Sequence, residues 1–281
     1  MKQVFIGFDV GGTNIEAGLV AKSGQILATN SHATQNRLGK KQIAKNVIKV
    51  AEDLLSSQVK LKGIVLGWPS VVNLVLSGQE IKNILQKKFR VPIILENDAN
   101  IFALSEAIIG QGKKYSTVVG LTLGTGVGSA LVIDKKLYHG RGKASEFGHV
   151  SLNFDGPKCV CGNFGCFEEY AGSRALKRLA KKYKLGKQNG ESLYELAIQG
   201  NKQAIKLWQE FGQQLGWGVV SVINVFDPDI IIIGGQITKA WKFFHKTMQQ
   251  EVKTKAMFKN TPVKVSKLKN TAIAGAALLL K

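Results

Sequence analysis

Twice in this chain a strand of alternating apolar residues runs into a glycine turn and comes back out. Residues 3–10 (QVFIGFDV) end at Gly11 and Gly12, and residues 15–20 return. Residues 116–122 lead into Leu123-Gly124-Thr125-Gly126-Val127-Gly128, and residues 128–133 return. A period of two marks half-buried strands, and glycine permits the tight reversal between them. Starting the same unit afresh in its second half commits the chain to two α/β bodies, which its 281 residues can supply.

The remaining elements follow from periodicity and punctuation. In the first unit, Ser23-Gly24 turns the chain into a third strand over 25–31. Ile43, Val47, Val50, Ala51 and Leu54 share one face of a helix over 40–55. Residues 62–67 read as a buried strand, 81–89 as helix and 92–95 as strand. A helix over 98–109 is capped by Asn97 or Asp98. After the loop 110–115 and the second glycine hairpin, 136–139 is a short strand. Helices are expected over 172–183, 192–199 and about 202–226. Residues 229–233 form an apolar strand closed by Gly234-Gly235, and the final TAIAGAALLLK is helical.

The glycine turns have chemistry of their own. Between Asp9 and Asn14, Gly11 and Gly12 let backbone N–H groups approach an anion, and Thr13 adds a hydroxyl donor. Asp9, at the strand end, can hold Mg²⁺ through water. Gly124, Thr125 and Gly126 repeat this arrangement. Gly235 follows a buried strand, where ligands of α/β sheets commonly sit. Taken alone, each hairpin can equally be a simple turn. The chain carries neither a Gly-x-Gly-x-x-Gly run opening a helix nor a Walker Gly-x4-Gly-Lys-Ser/Thr, which argues against both of those phosphate folds. Two Gly/Thr hairpins facing each other across two domains suggest a nucleotide held in the cleft.

All three cysteines of the chain fall in SEFGHVSLNFDGPKCVCGNFGCFEEY, from Ser145 to Tyr170. Cys159, Cys161 and Cys166, with His149 ten residues before the first, make a closed four-ligand set of the kind a structural Zn²⁺ takes. Three small buried hydrophobes beside an unrelated histidine would be the bland alternative. A disulfide would leave one thiol over. Glu146 and Glu168 flank the ligands, so an ion that fixes this segment also fixes two carboxylates.

The net charge of +20 is spread along the sequence. Its densest run, Lys177-Arg178 through Lys181, Lys182, Lys184 and Lys187, suits a solvated helix face. Aromatic interleaving is sparse, so a general cationic surface is expected rather than a nucleic-acid site, with a polyanion-binding patch as the alternative. MKQVFIGFDVGGT is not a signal peptide, because Asp9 and the glycines break its apolar stretch. The longest apolar runs are too short to span a bilayer. Cysteines committed to metal and no targeting segment point to a reducing cytoplasm.

The order DVGGTN, ENDAN, LTLGTGVGSALV, SEFGHVSL…CVCGNFGCFEEYAG and DPDIIIIGG resembles the ROK family of sugar kinases and sugar-responsive repressors. The closing AIAGAALLL also resembles that family's last helix. The resemblance implies an actin/hexokinase-like (ribonuclease H-like) α/β fold of two domains with the active site in the cleft between them. The domains would be 1–109, completed by the C-terminal helix 271–281, and 110–270, carrying the zinc segment 145–170. It implies an ATP- and Mg²⁺-dependent hexose kinase, glucose being the leading substrate at its 6-position, and a homodimer. Asp98 matches the catalytic base. Asn97, Glu146, His149 and Glu168 match sugar contacts, His149 also being a zinc ligand. Gly11, Gly12, Thr13, Gly124, Thr125 and Gly126 match the phosphate loops, and Gly235 the adenosine side.

This reading agrees with the chemistry, since a sugar hydroxyl needs a carboxylate within reach to take its proton as the bond to phosphorus forms. Some positions depart from the family pattern. The stretch after Gly67-Trp68-Pro69 is shortened, with Asn73 and Asn83 the candidates for a missing sugar-contacting asparagine. Ser145 stands where glycine is common, and Asn14 where lysine often stands. Other functions compete with a glucokinase: a kinase for N-acetylglucosamine, N-acetylmannosamine or fructose, a kinase using polyphosphate, or a non-catalytic sugar-binding relative. Only Met1-Lys2-Gln3 precede the first strand, which argues against a DNA-reading repressor.

Overall fold

The computed structural model describes residues 1–11, 13–68 and 75–280, with the backbone alone for Ala272 and Ala276. The chain divides into two compact units. One comprises Met1–Lys113 with Leu268–Lys281, and the other Lys114–Lys267.

In the first unit, β1 (Lys2–Val10), β2 (Asn14–Ala21) and β3 (Ile26–Ala33) form an antiparallel meander. β4 (Val59–Trp68) and β5 (Ile93–Asn97) continue it in parallel, giving the order β3-β2-β1-β4-β5. Parallel neighbours need a crossover. Helix α1 (Lys40–Leu54) supplies the crossover into β4, burying Ile43, Val47, Val50, Ala51 and Leu54. Helix α2 (Gly78–Phe89) supplies the crossover into β5 and starts with a capping box. The Ser77 hydroxyl accepts from Glu80 N–H at 3.3 Å, and Glu80 Oε2 accepts from Ser77 N–H at 2.8 Å. Helix α3 (Asp98–Ile108) follows β5 without a gap.

The second unit repeats this plan. β6 (Thr117–Leu123), β7 (Val127–Ile133) and β8 (Lys136–Leu137) are antiparallel, and β9 (Ile230–Gly234) and β10 (Val263–Val265) add in parallel, in the order β10-β9-β6-β7-β8. The helix that periodicity predicts over 172–183 is α5 (Ser173–Lys182); before it, and not expected from periodicity, stands the short α4 (Phe167–Ala171), ended at Gly172. Helices α6 (Gly190–Ile198) and α7 (Lys202–Phe226) follow. Helix α8 (Trp241–Lys255), a short helical turn over Gln236–Ala240, and β10 have no counterpart in the periodicity reading. Trp208 and Phe211 of α7 meet Phe244 of α8 at ring-centroid distances of 6.0 and 5.4 Å, which centres the core of this unit.

The C-terminal segment comes back to the first unit as two short helices, α9 (Thr271–Ala274) and α10 (Ala276–Leu279), instead of one. Ile273 and Ala277 close a small cluster with Phe5 and Val20, and Ser105 of α3 donates to Thr271 O at 3.0 Å. Among the described residues no helix is long and apolar enough to cross a membrane.

Candidate functional site

In the first unit, the site residues collect at the carboxyl ends of the parallel strands, where open α/β sheets bind ligands. Asp9 pairs in register with Gly67, Gly67 with Glu96, and Trp68 with Asn97. This row sets Asp9 on one strand end and Asn97-Asp98 on another. Burial, then the Asp98 and Glu16 carboxylates, push the Asp9 carboxyl up to about 6. Mutual repulsion of Asp9 and Asp98 is thus built into this end of the sheet, and such a pair is what a hard dication neutralises.

Asn97 is the N-cap of α3. Its Oδ1 accepts from Ala99 N–H at 2.8 Å and Asn100 N–H at 3.2 Å. Asp98 is the first residue of the helix, with Oδ1 held by Ala99 N–H at 2.8 Å. Glu96 Oε1 takes Asn97 N–H at 2.8 Å and the Asn100 amide at 2.7 Å. The ENDAN run is therefore a self-bonded corner that fixes the backbone beneath Asp98.

The turn from Gly11 to Asn14 is held by a residue the sequence does not advertise. Thr34, fully buried, donates its hydroxyl to Gly11 O at 2.7 Å and its N–H to Thr13 O at 2.7 Å. Gly11 N–H donates to Asn14 O at 2.9 Å. Thr13 is exposed at the tip, and Gly12 lies outside the described residues. Asn73 also lies outside them. Asn83 is exposed on α2 and accepts from Gln79 at 3.0 Å.

In the second unit, the loop Gly124–Gly126 is strapped to the start of α5. Ser173 N–H donates to Gly124 O at 2.9 Å, and its hydroxyl to Thr125 O at 3.1 Å. A Cβ on Gly126 would lie 2.1 Å from Glu168 Oε2, so the loop touches this carboxylate because residue 126 has no side chain. Gly235, at φ +90°, has no room for a Cβ either: one would stand 2.3 Å from Leu123 O. Gly235 thus lies against the strand end that enters the loop.

The four candidate ligands come together. One donor atom each from His149, Cys159, Cys161 and Cys166 lies within 4.8 Å of all the others. Cys159 Sγ is 3.6 Å from His149 Nδ1, and Cys161 Sγ is 3.6 Å from Cys166 Sγ. A tetrahedral Zn²⁺ with Zn–S near 2.3 Å has sulfur edges of about 3.8 Å, so the set fits that ion. Burial pushes the Cys159 and Cys166 thiols up, whereas the Asn163 N–H pulls Cys161 down. A dication would favour all three thiolates together. Since Nδ1 faces the sulfurs, His149 has Nε2 for a second role.

Glu168 is buried. Its Oε1 accepts from Cys159 Sγ at 3.1 Å and from Arg174, and lies 3.9 Å from His149 Nδ1. Glu146, in contrast, is exposed and caps the helical turn Phe147–His149. That turn is fixed by Ser129, whose hydroxyl donates to Ser145 O at 2.5 Å and accepts from Phe147 N–H at 2.8 Å. Ser145 has φ +70°, the left-handed region, which accounts for glycine being common there. Arg178 belongs by sequence to the basic run, and Arg174 stands three residues before it. The structure instead pairs Arg174 with Glu168 and Glu169, and Arg178 with Glu169 at 2.9 Å.

The sequence profile described as the ROK family matches residues 5–281. The glucokinase of Thermotoga maritima is 31% identical over 100% of this chain and 98% of its own length. The xylose repressor of Caldicellulosiruptor bescii is 30% identical over 81% of this chain, which spans 66% of that repressor's length. The crystal structure of a ROK family glucokinase from Streptomyces griseus in complex with glucose and AMPPNP superposes with a TM-score of 0.83 at 28% identity, covering 98% of both chains.

Proposed function

The chain belongs to the ROK family and has its actin/hexokinase-like α/β fold, and on that premise we propose that it is a sugar kinase that transfers the γ-phosphoryl group of ATP to a hexose hydroxyl, with glucose the first substrate. The observation that carries this reading is the corner at Asp98. A carboxylate is held at a strand-to-helix junction beside Asp9, in a chain whose second unit buries Glu168 against a glycine loop. Likeness to glucokinases and to a glucokinase complexed with glucose and AMPPNP supports it.

Asp98 takes the proton of the attacking hydroxyl as its oxygen bonds to the γ-phosphorus. The bond from that phosphorus to the bridging oxygen breaks, and ADP leaves. Asp9 is placed to hold Mg²⁺, which offsets charge on the phosphates when bound. Thr13 of the first glycine turn and the Thr125-Gly126 tip of the second are the groups assigned to the phosphates, and Gly235 to the adenosine side. Asn97, whose Oδ1 caps α3 beside Asp98, is assigned to a sugar hydroxyl. Glu146, Glu168 and His149 Nε2 contact the remaining hydroxyls. Zn²⁺ would be held by His149 and the three cysteines. With four protein ligands its coordination is full, so it stiffens the wall and takes no part in the reaction.

A second reading, a sugar-responsive regulator that binds without turnover, is favoured by the identity to a xylose repressor. One experiment separates them: a panel of hexoses with MgATP, and in parallel polyphosphate, in a coupled ADP or sugar-phosphate assay alongside calorimetric sugar binding. Glucose-dependent ADP release supports the kinase. Sugar binding without product from either donor rejects it in favour of the regulator.

A further inference from the structure

Behind the metal segment, four charged side chains close into a ladder. Helix α4 carries Glu168 and Glu169 side by side, 7% and 1% exposed. Arg174 reaches both: its Nη2 donates to Glu168 Oε1, and its Nε to Glu169 Oε1 at 2.5 Å. Arg178, one turn further along α5, donates to Glu169 Oε2 at 2.9 Å and to the Glu169 carbonyl. One guanidinium therefore bridges two buried carboxylates, and Arg178 pins the second of them from its other side.

Arg174 is in the first turn of α5, where the helix dipole disfavours a cation. Its place is set by the carboxylates and not by the helix. Glu168 has two directions open to it. Its Oε1 stands 3.1 Å from Cys159 Sγ, a metal ligand, while its Oε2 lies against the Gly126 loop. A carboxylate this close to a cation site can swing in as an extra ligand. The planar fork of arginine holds one oxygen in a fixed direction and so settles where the other points.

We propose that Arg174 is a positioning residue for sugar recognition: anchored on Glu169, it occupies Glu168 Oε1 and so fixes Oε2 at the loop, where a hexose hydroxyl meets it. This rests on the reading of Glu168 as a sugar contact. It predicts a selective effect. Arg174→Gln raises the calorimetric Kd for glucose and its KM roughly tenfold or more, as expected when a charge-assisted contact is lost. The KM for ATP and the zinc content per chain stay at wild-type values. Arg174→Lys, a point charge without the fork, recovers only part of the affinity and serves if the glutamine variant fails to fold. Arg178→Gln, which removes an ion pair to Glu169 and none to Glu168 among the described residues, leaves glucose affinity within about twofold.

Glucose titrations of the full-length wild type, Arg174→Gln, Arg174→Lys, Arg178→Gln and Glu168→Gln, each with zinc analysis, test this. Weakened glucose binding in Glu168→Gln together with unchanged binding in Arg174→Gln overturns the proposal alone. Unchanged binding in Glu168→Gln, or a wild type that binds no hexose, removes the sugar-contact reading and the proposal with it. Equal losses of glucose affinity, ATP affinity and zinc in Arg174→Gln show a structural strut, and also overturn it.

Discussion

Gly126→Ala, compared with Gly124→Ala, separates close approach from simple turning in the second glycine loop. The new methyl at 126 would stand 2.1 Å from Glu168 Oε2 and 3.2 Å from its Cδ, whereas at 124 it would meet nothing within 4 Å. Restoring an ordinary contact of 3.4 Å at position 126 needs a shift of about 1.3 Å. A free carboxylate would swing aside. This one is held by Arg174 and by Cys159, so the loop or the ladder must move. Overpacking of this kind costs about 2 kcal/mol, hence a fall in Tm of roughly 4–8 °C. A displacement of 1 Å at a substrate contact can reduce kcat/KM by about 100-fold. Gly124→Ala should stay within about 0.5 kcal/mol of wild type. Thermal unfolding without ligands reads the first effect, and kcat/KM for the sugar the second. Addition of Glu168→Ala should return part of the lost stability to Gly126→Ala. Equal melting temperatures for the two single alanine variants would refute the contact argument.

Other perturbations have equally definite outcomes. The folded-state pKa of Asp9 is raised from 3.8 to about 6, so its contribution is fully present below pH 3.8 and is lost as pH rises through about 6. Asp9→Asn should therefore raise Tm at pH 7.5 and leave it nearly unchanged at pH 4, as measured by calorimetry without Mg²⁺. Thr34→Val removes the buried bond to Gly11 O and should cost about 1–3 kcal/mol in urea unfolding while raising the KM for ATP; wild-type values for both would show that the turn needs no such strut. Ser145→Gly relieves a left-handed serine whose Oγ is buried without a hydrogen-bond partner among the described residues. It should gain about 0.5–1 kcal/mol, and a lower Tm contradicts this. Cys161→Ser should reduce bound zinc to well under one per chain and lower Tm, with the loss concentrated in protection of residues 145–170 by hydrogen exchange.

Much of this architecture is legible in the sequence because it is written in local periods. Alternation marks β1, β2 and β6, the Ile43–Leu54 spacing marks α1, and the thiol spacing picks out all four ligands that the structure clusters. Helix α8 is hidden because only Phe244, Met248, Glu251 and Val252 are buried, while half-buried Trp241 and Phe243 blur the stripe. The helix read over 172–183 is α5, whereas α4 before it is hidden because five residues carry too little of a helical period to be read. Arg174 and Arg178 are illegible for a different reason. Arg178 sits in a lysine-rich run that reads as a solvated face, Arg174 stands just before that run, and no helical period relates either to carboxylates across a break. Thr34 is likewise invisible, being 23 residues from the carbonyl it holds.

The central claim is that a sugar hydroxyl is deprotonated by Asp98. Its most direct test is the steady-state rate of glucose-dependent ADP release by wild type and Asp98→Asn at saturating MgATP, with glucose Kd measured on both proteins. The expected result is a loss of about 10²–10⁴-fold in kcat with the glucose Kd little changed. Equal kcat in the two proteins would contradict the account.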